Sequence, residues 1–164
     1  GGSACPVTSW SSTKVVCVTP AASVGAAALV VTAGGAASAS MSFFYEVVAT
    51  AISPSSTGLS GGAAITVTGA GFSAGASVTV GSNAATVVSQ NATQLVFTAP
   101  ASSSAGPVGV RVSSGGMTVS APSLSYNAPV MYSVTPVSGS AAGGTSITIF
   151  GANFGSDSSA VLGK

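Results

Sequence analysis

Histidine is absent from this 164-residue chain, and charge nearly so. Only Lys14, Glu46, Arg111, Asp157 and Lys164 are ionised at neutral pH, which is 3% of the residues and a net charge of +1. General acid–base catalysis and metal binding need two or three converging titratable groups. With two carboxylates and no imidazole the chain cannot supply them, so no enzyme, no cofactor and no metal site is expected. Nucleic-acid binding needs a cluster of Lys and Arg to neutralise phosphates, and three scattered cations make none. No membrane insertion is expected either, because the longest apolar run, Val24 to Val31, is broken by Gly25 and a span needs about 20 residues. A soluble surface ordinarily carries about 25–35% charged residues, which keep molecules apart. A surface this poor in charge is expected to be covered by glycan or by other copies; the plain alternative is a secreted protein with a Ser/Thr-rich surface. The chain opens on Gly-Gly without Met, as a mature or trimmed chain does.

Small residues are abundant: Gly, Ala and Ser make up half the chain. Order is still expected, because Val, Ile, Leu and Phe recur at strand spacing. No apolar stripe of helical period is present, whereas alternation of period two is frequent: Ile65–Thr68, Val78–Val80, Val108–Val112 and Ile147–Ile149. Successive side chains of a strand point to opposite faces, so such runs bury one face and wet the other. Gly, Pro, Ser and Asn clusters interrupt them every 8–12 residues, which indicates an all-β sandwich.

An internal repeat orders the chain. Ile65-Thr66-Val67-Thr68-Gly69-Ala70-Gly71-Phe72 returns as Ile147-Thr148-Ile149-Phe150-Gly151-Ala152-Asn153-Phe154, and Pro54 and Gly61-Gly62 return as Pro136 and Gly143-Gly144, all at an offset of 82. Thr13 to Pro20 meets Thr93 to Pro100 at an offset of 80, while Gly34-Gly35 meets Gly115-Gly116 and Tyr45 meets Tyr126 at 81. Repeats of this size are whole domains, longer than solenoid units of about 20–50 residues. One complete domain is expected at 49–128. Residues 1–48 correspond to the back half of a repeat and 129–164 to the front half. Seven central strands are predicted, near Thr50–Ser53, Ala64–Thr68, Ser77–Val80, Ala84–Val88, Gln94–Thr98, Val108–Val112 and Ser123–Tyr126. The first segment adds Ala4–Thr8, Lys14–Val18, Ala27–Thr32 and Met41–Glu46; the last adds Val130–Val134, Ser146–Phe150 and Ser159–Leu162. Short links between the segments imply stiff end-to-end stacking.

A proline after the first strand, a Gly-Gly, an alternating strand ending in Gly-x-x-Phe, a Val-Gly turn, an apolar strand ending in x-Pro and a Gly-Pro-Val-x-Val follow one another in the central repeat. They are Ile52-Ser53-Pro54, Gly61-Gly62, Ile65 to Phe72, Val80-Gly81, Leu95 to Pro100 and Gly106 to Val110. With the partial copies on either side, this resembles the IPT/TIG family of immunoglobulin-like domains over essentially the whole chain. The resemblance implies tandem immunoglobulin-like β-sandwiches, one complete central domain flanked by two half-domains. Family members occur in cell-surface receptors, in bacterial and protist surface proteins, beside carbohydrate-active enzymes and in transcription factors. The scarcity of cations disfavours the DNA-binding branch.

In extracellular members a cysteine pair at the places of Cys5 and Cys17 forms a disulfide, and the resemblance carries that bond to these two residues; the alternative is two free buried thiols. A disulfide implies an oxidising compartment, hence an extracellular or cell-surface location. Asn91-Ala92-Thr93 is an N-glycosylation sequon in a predicted turn, although short sequons also arise by chance. Serine-rich runs such as Ser102-Ser103-Ser104 suit O-glycans or ordinary turns. Gly69-Ala70-Gly71-Phe72-Ser73-Ala74 imitates a dinucleotide fingerprint, which needs a following helix and a later acidic residue that are missing here. In the second copy Asn153 replaces Gly71, and both residues tolerate left-handed backbone, so the segment is a turn. Trp10 is a sugar-stacking platform, an interface residue or partial core.

In an immunoglobulin-like sandwich the first and second strands pair with the fifth and the third with the sixth. A cut between the third and fourth splits both sheets, and each unpaired buried backbone group costs about 1–3 kcal/mol. The two halves leave opposite poles of the central domain, on the order of 35 Å apart for strands of 5–6 residues plus turns, beyond the reach of the short links. The expected partner is therefore a second copy: a head-to-tail homopolymer made by strand complementation, glycans attached. Its junction is expected to join Ile147, Ile149, Phe150, Phe154, Val161 and Leu162 of one copy to Val15, Val16, Val18, Leu29, Val31, Phe43 and Tyr45 of the next. The competing readings are a segment of a longer tandem array in a surface adhesin or receptor, and a carbohydrate-binding accessory module, which would need several exposed aromatics on one face.

Overall fold

The computed structural model describes residues 3–155 and 158–163; Asp157 and Lys164, two of the five charged residues, lie outside them. All regular elements among the described residues are strands. By contacts the chain divides into two units, Gly1–Glu46 and Val47–Lys164.

The first unit is three antiparallel pairs. Strands β1 (Val7–Trp10) and β2 (Val15–Cys17) form one. Strands β3 (Gly25–Leu29), β4 (Thr32–Ala33), β5 (Ala36–Ala37) and β6 (Met41–Tyr45) form the other two, β3 with β6 and β4 with β5. Gly34 and Gly35 turn between β4 and β5 at φ of 57° and 82°, which a residue with a Cβ rarely adopts. Cys5 is disulfide-bonded to Cys17, their Cα atoms 5.6 Å apart.

The second unit begins with β7 (Val48–Ser53), β8 (Ser56–Gly58), β9 (Ala64–Ala70), β10 (Ser77–Val80), β11 (Asn83–Gln90), β12 (Gln94–Thr98), β13 (Gly106–Ser114) and β14 (Met117–Asn127). Their order across the sheet is β7-β9-β12-β11-β10-β13-β14-β8. Strand β11 serves two neighbours: Asn83–Ala85 pairs with β10 and the rest with β12. The sheet thus wraps around one core. Alternation fills it. Ile65, Val67, Leu95, Phe97, Val78, Val80, Val110, Val112, Leu124 and Tyr126 are buried, each stabilising the fold by about 1.5–3 kcal/mol. Between them Thr66, Thr68 and Arg111 point outward. The Tyr126 hydroxyl donates to the Pro100 carbonyl over 2.7 Å.

Strands β15 (Val130–Thr135) and β16 (Thr148–Ala152) follow. They repeat the β7/β9 pair in register, residue by residue and with the same bulge: Val48↔Ala70 becomes Val130↔Ala152, and Ile52↔Val67 becomes Val134↔Ile149. Gly69 and Gly151 are required by packing, since a Cβ at either would meet the carbonyl oxygen of Val48 or Val130 and the ring of Phe72 or Phe154. Asn153 takes the left-handed conformation (φ 60°) that Gly71 takes in the first copy (φ 80°).

Four sequence expectations need correction. Strand β7 pairs with β9 and not directly with the fifth central strand. Strand β8 was not foreseen; it runs parallel to the end of β14. The strand expected at Ala4–Thr8 begins only at Val7, and none forms at Ser159–Leu162. One cause explains the last two. The matching central residues, Asn83–Ala85 and Ser77–Val80, pair with each other, and Ser77–Val80 pairs also with β13. Each half holds one side of that pairing, and a strand without a partner has no ladder to complete.

Candidate assembly surface

Every buried residue among those described lies between Val47 and Tyr126. Among the described residues from Ser3 to Glu46 and beyond Tyr126, none is buried. Yet both segments carry the residue pattern of the core. Leu95 is fully buried and its counterpart Val15 is 44% exposed; Leu124 is fully buried and its counterpart Phe43 is 41% exposed. The counterpart of Tyr126, Tyr45, packs edge-on against Phe43 with ring centroids 5.1 Å apart.

The counterparts are structural as well as sequential. Strands β1 and β2 pair as β11 and β12 do, with the same bulge: Val7↔Cys17 matches Val87↔Phe97, and Trp10↔Val15 matches Gln90↔Leu95. The start of β3 pairs with the end of β6 as the start of β13 pairs with the end of β14, Gly25↔Tyr45 matching Gly106↔Tyr126. The hairpins of both segments therefore repeat hairpins of the central domain, except that β3 and β6 pair without the bulge found between Val108 and Val110. Between the two hairpins of the first unit opens a cavity of about 520 Å³ lined by Val15, Cys17, Ala27, Leu29, Phe43 and Tyr45. Val16, Val18 and Val31 of the same unit are exposed. In the second unit Ile147, Phe150, Phe154, Val161 and Leu162 are exposed, and Ile149 is half-buried.

Cys5 and Cys17 occupy the positions of half-buried Ala85 and fully buried Phe97, and the disulfide staples the segment before β1 to β2. Asn91 sits in the turn between β11 and β12, exposed. Its Oδ1 accepts from the Thr93 amide at 2.9 Å, the Thr93 hydroxyl at 3.1 Å and the Gln94 amide at 2.8 Å. These bonds occupy Oδ1 and not Nδ2, the atom an N-glycan joins. Among the described residues no group of three or more His, Cys, Asp or Glu could hold a metal, and no helix is long and apolar enough to cross a membrane.

The IPT/TIG domain pattern matches residues 1–46, 48–126 and 129–162, which leaves almost nothing outside it. The chain belongs to the IPT/TIG family. The IPT/TIG sandwich is an immunoglobulin-like module without catalytic machinery of its own. Among solved structures, the full extracellular region of plexin A4 is similar at 17% identity over 84% of this chain and 12% of that one, with a TM-score of 0.50; this likeness is one of fold. An auxiliary nutrient binding protein from Bacteroides ovatus is similar at 21% identity over 54% of this chain and 22% of its own, with a TM-score of 0.43. The IPT/TIG chain thus spans about a fifth or less of the length of these two structures. No curated protein matches it.

Proposed function

We propose that the protein is a structural building block of an extracellular assembly, in which residues 129–164 of one copy complete the half-sandwich of residues 1–48 in the next. The observation that carries this reading is that core-type residues in core-type register stand uncovered in both halves, while the same positions in the central domain are covered by strands of the opposite half. There Ile65 faces Phe97, Val67 faces Leu95, Val78 faces Val112 and Val80 faces Val110. Carried across, Ile147 faces Cys17, Ile149 faces Val15, Ala160 faces Val31 and Leu162 faces Leu29. Val16, Val18, Phe150 and Val161 match Val96, Thr98, Thr68 and Thr79, none of them buried, and so line the outer faces of the junction.

The area is adequate. Burying an apolar side chain removes roughly 60–120 Å² at about 25 cal/mol per Å². About a dozen of them, with the newly paired backbone, approach the roughly 1,200–2,000 Å² of a specific interface. The junction joins unlike surfaces and does not close on itself, so it propagates into a filament. The disulfide fits an oxidising compartment, and a glycan at Asn91 would cover part of a surface with too few charges to keep copies apart.

Electron microscopy of the purified protein tests this reading. Filaments are expected, and deletion of residues 146–164 is expected to abolish them; filaments that survive the deletion refute it. A second reading places the same complementing strands in one longer chain, and three successive family matches joined by one or two residues favour it. The denatured mass separates the two: a discrete species near 15.3 kDa supports separate copies, and a far larger one supports the tandem array.

A further inference from the structure

The central domain closes one end of its sandwich with a polar cluster. After β9 the chain turns at Ser73, whose amide donates to the Ser114 hydroxyl at 2.9 Å while the two hydroxyls lie 3.0 Å apart. Ser114 donates in turn to the Gly71 carbonyl at 3.1 Å, and the Gln90 side-chain amide donates to the Ser73 carbonyl at 2.7 Å. The repeat changes all three side chains at once. Ser73 corresponds to Gly155, Gln90 to Trp10 and Ser114 to Ala33.

The strand registers carry the correspondence. Trp10↔Val15 matches Gln90↔Leu95, and Ala33↔Ala36 matches Ser114↔Met117. One backbone bond recurs, Ala76 donating to the Ser73 carbonyl at 3.1 Å and Ser158 to the Gly155 carbonyl at 3.3 Å. Two positions have thus become smaller and one has become an indole. Trp10 is 80% exposed, and with Ala33 it lines a cavity of about 620 Å³ in the first unit, together with Ser12, Val30 and Val31.

We propose that Trp10 and Ala33 form the socket for the Phe154–Gly155 turn of a second copy, the indole lying where the polar cluster lies in the central domain. This inference rests on the complementation reading above and names its anchor. The occupant follows from the intact interface in the same chain. Phe72 is only 5% exposed; its amide donates to the Ala92 carbonyl at 3.3 Å, and the Gly69 amide donates to the Thr93 carbonyl at 2.9 Å. The counterpart bonds run from the Phe154 amide to the Ser12 carbonyl and from the Gly151 amide to the Thr13 carbonyl. They set the turn against the rim that carries Trp10. Interface hot spots are enriched in tryptophan seated in well-packed, desolvated pockets, and apolar closure asks for no alignment of hydroxyls between two molecules.

Trp10 is the single tryptophan, so the wild-type protein reports on its own socket. In assembled protein its emission should move to shorter wavelength and resist acrylamide quenching, relative to full-length copies diluted below the assembly threshold. Trp10→Gln should raise the assembly concentration at least tenfold, and the triple variant Trp10→Gln, Ala33→Ser, Gly155→Ser, which rebuilds the central cluster across the junction, should recover most of that loss. Filaments whose Trp10 stays open to quencher, or Trp10→Gln copies that assemble at the wild-type concentration, overturn the socket and leave complementation standing. Absence of any assembly overturns both.

Discussion

The central domain and the two flanking segments share a repeat pattern and most of their hairpin register, yet only the central domain buries its apolar residues. Where β9 meets β12 and β10 meets β13, Val, Ile, Leu and Phe disappear from solvent. Where only one member of each pair exists, hairpins persist and burial does not. Local pairing is therefore present in both flanking segments without a buried core. Hairpin register is set by turns and bulges within one segment; burial needs both layers at once.

Substitution at matched positions breaks this comparison most sharply. Leu124→Ala should cost about 2–5 kcal/mol of central-domain stability, read as a lowered denaturation midpoint. Phe43→Ala, its counterpart, should leave the midpoint of unassembled protein nearly unchanged and weaken assembly instead. Next in size is reduction of the Cys5–Cys17 bond. Closing a loop of 12 residues is worth about 3 kcal/mol on the chain-entropy model, and that loss should fall on the first unit alone. Limited proteolysis should then cut the first 46 residues faster while the central domain holds.

Gly69→Ala and Gly151→Ala should each disturb a hairpin, because the added methyl meets the same backbone oxygen in both copies. Overpacking costs about 1–3 kcal/mol. For Gly69 the cost should appear in thermal stability and for Gly151 in assembly. The smallest effect belongs to Tyr126. Burial raises its phenol above the ordinary value, so the folded state keeps a proton that the unfolded chain releases at lower pH. Stability should be constant below about pH 10 and fall as pH rises further. Tyr126→Phe should remove that decline and cost about 1 kcal/mol at neutral pH through the lost bond to Pro100. A pH series of denaturation curves checks both.

Much of this was legible in the sequence. Strands β9 and β16 stood out because alternation, a packed glycine and a left-handed turn residue recur together, and each has a local cause. The apolar faces of the two halves followed from the same alternation. Strand β8 was not legible: Ser56–Gly58 has no alternation, and its parallel pairing with β14 arises only when distant segments meet. The strands expected at Ala4–Thr8 and Ser159–Leu162 were misjudged because propensity says nothing of whether a partner is present. Trp10 stayed undecided between platform, interface and core, since its role depends on what replaces the Ser73–Gln90–Ser114 cluster, and that cluster is visible only as hydrogen bonds.

Residues 158–163 lack regular structure where Ser77–Val80 is a strand, and this bears on kinetics. Under the proposed complementation a docking copy would bring β15 and β16 already shaped, whereas the final segment would have to take form between Ser3–Cys5 and Leu29–Thr32. The last step would then be a coil-to-strand transition, with its own activation barrier. A growing thread would then have unlike tips, one offering an open cleft and the other an unformed tail, and the two should elongate at different speeds.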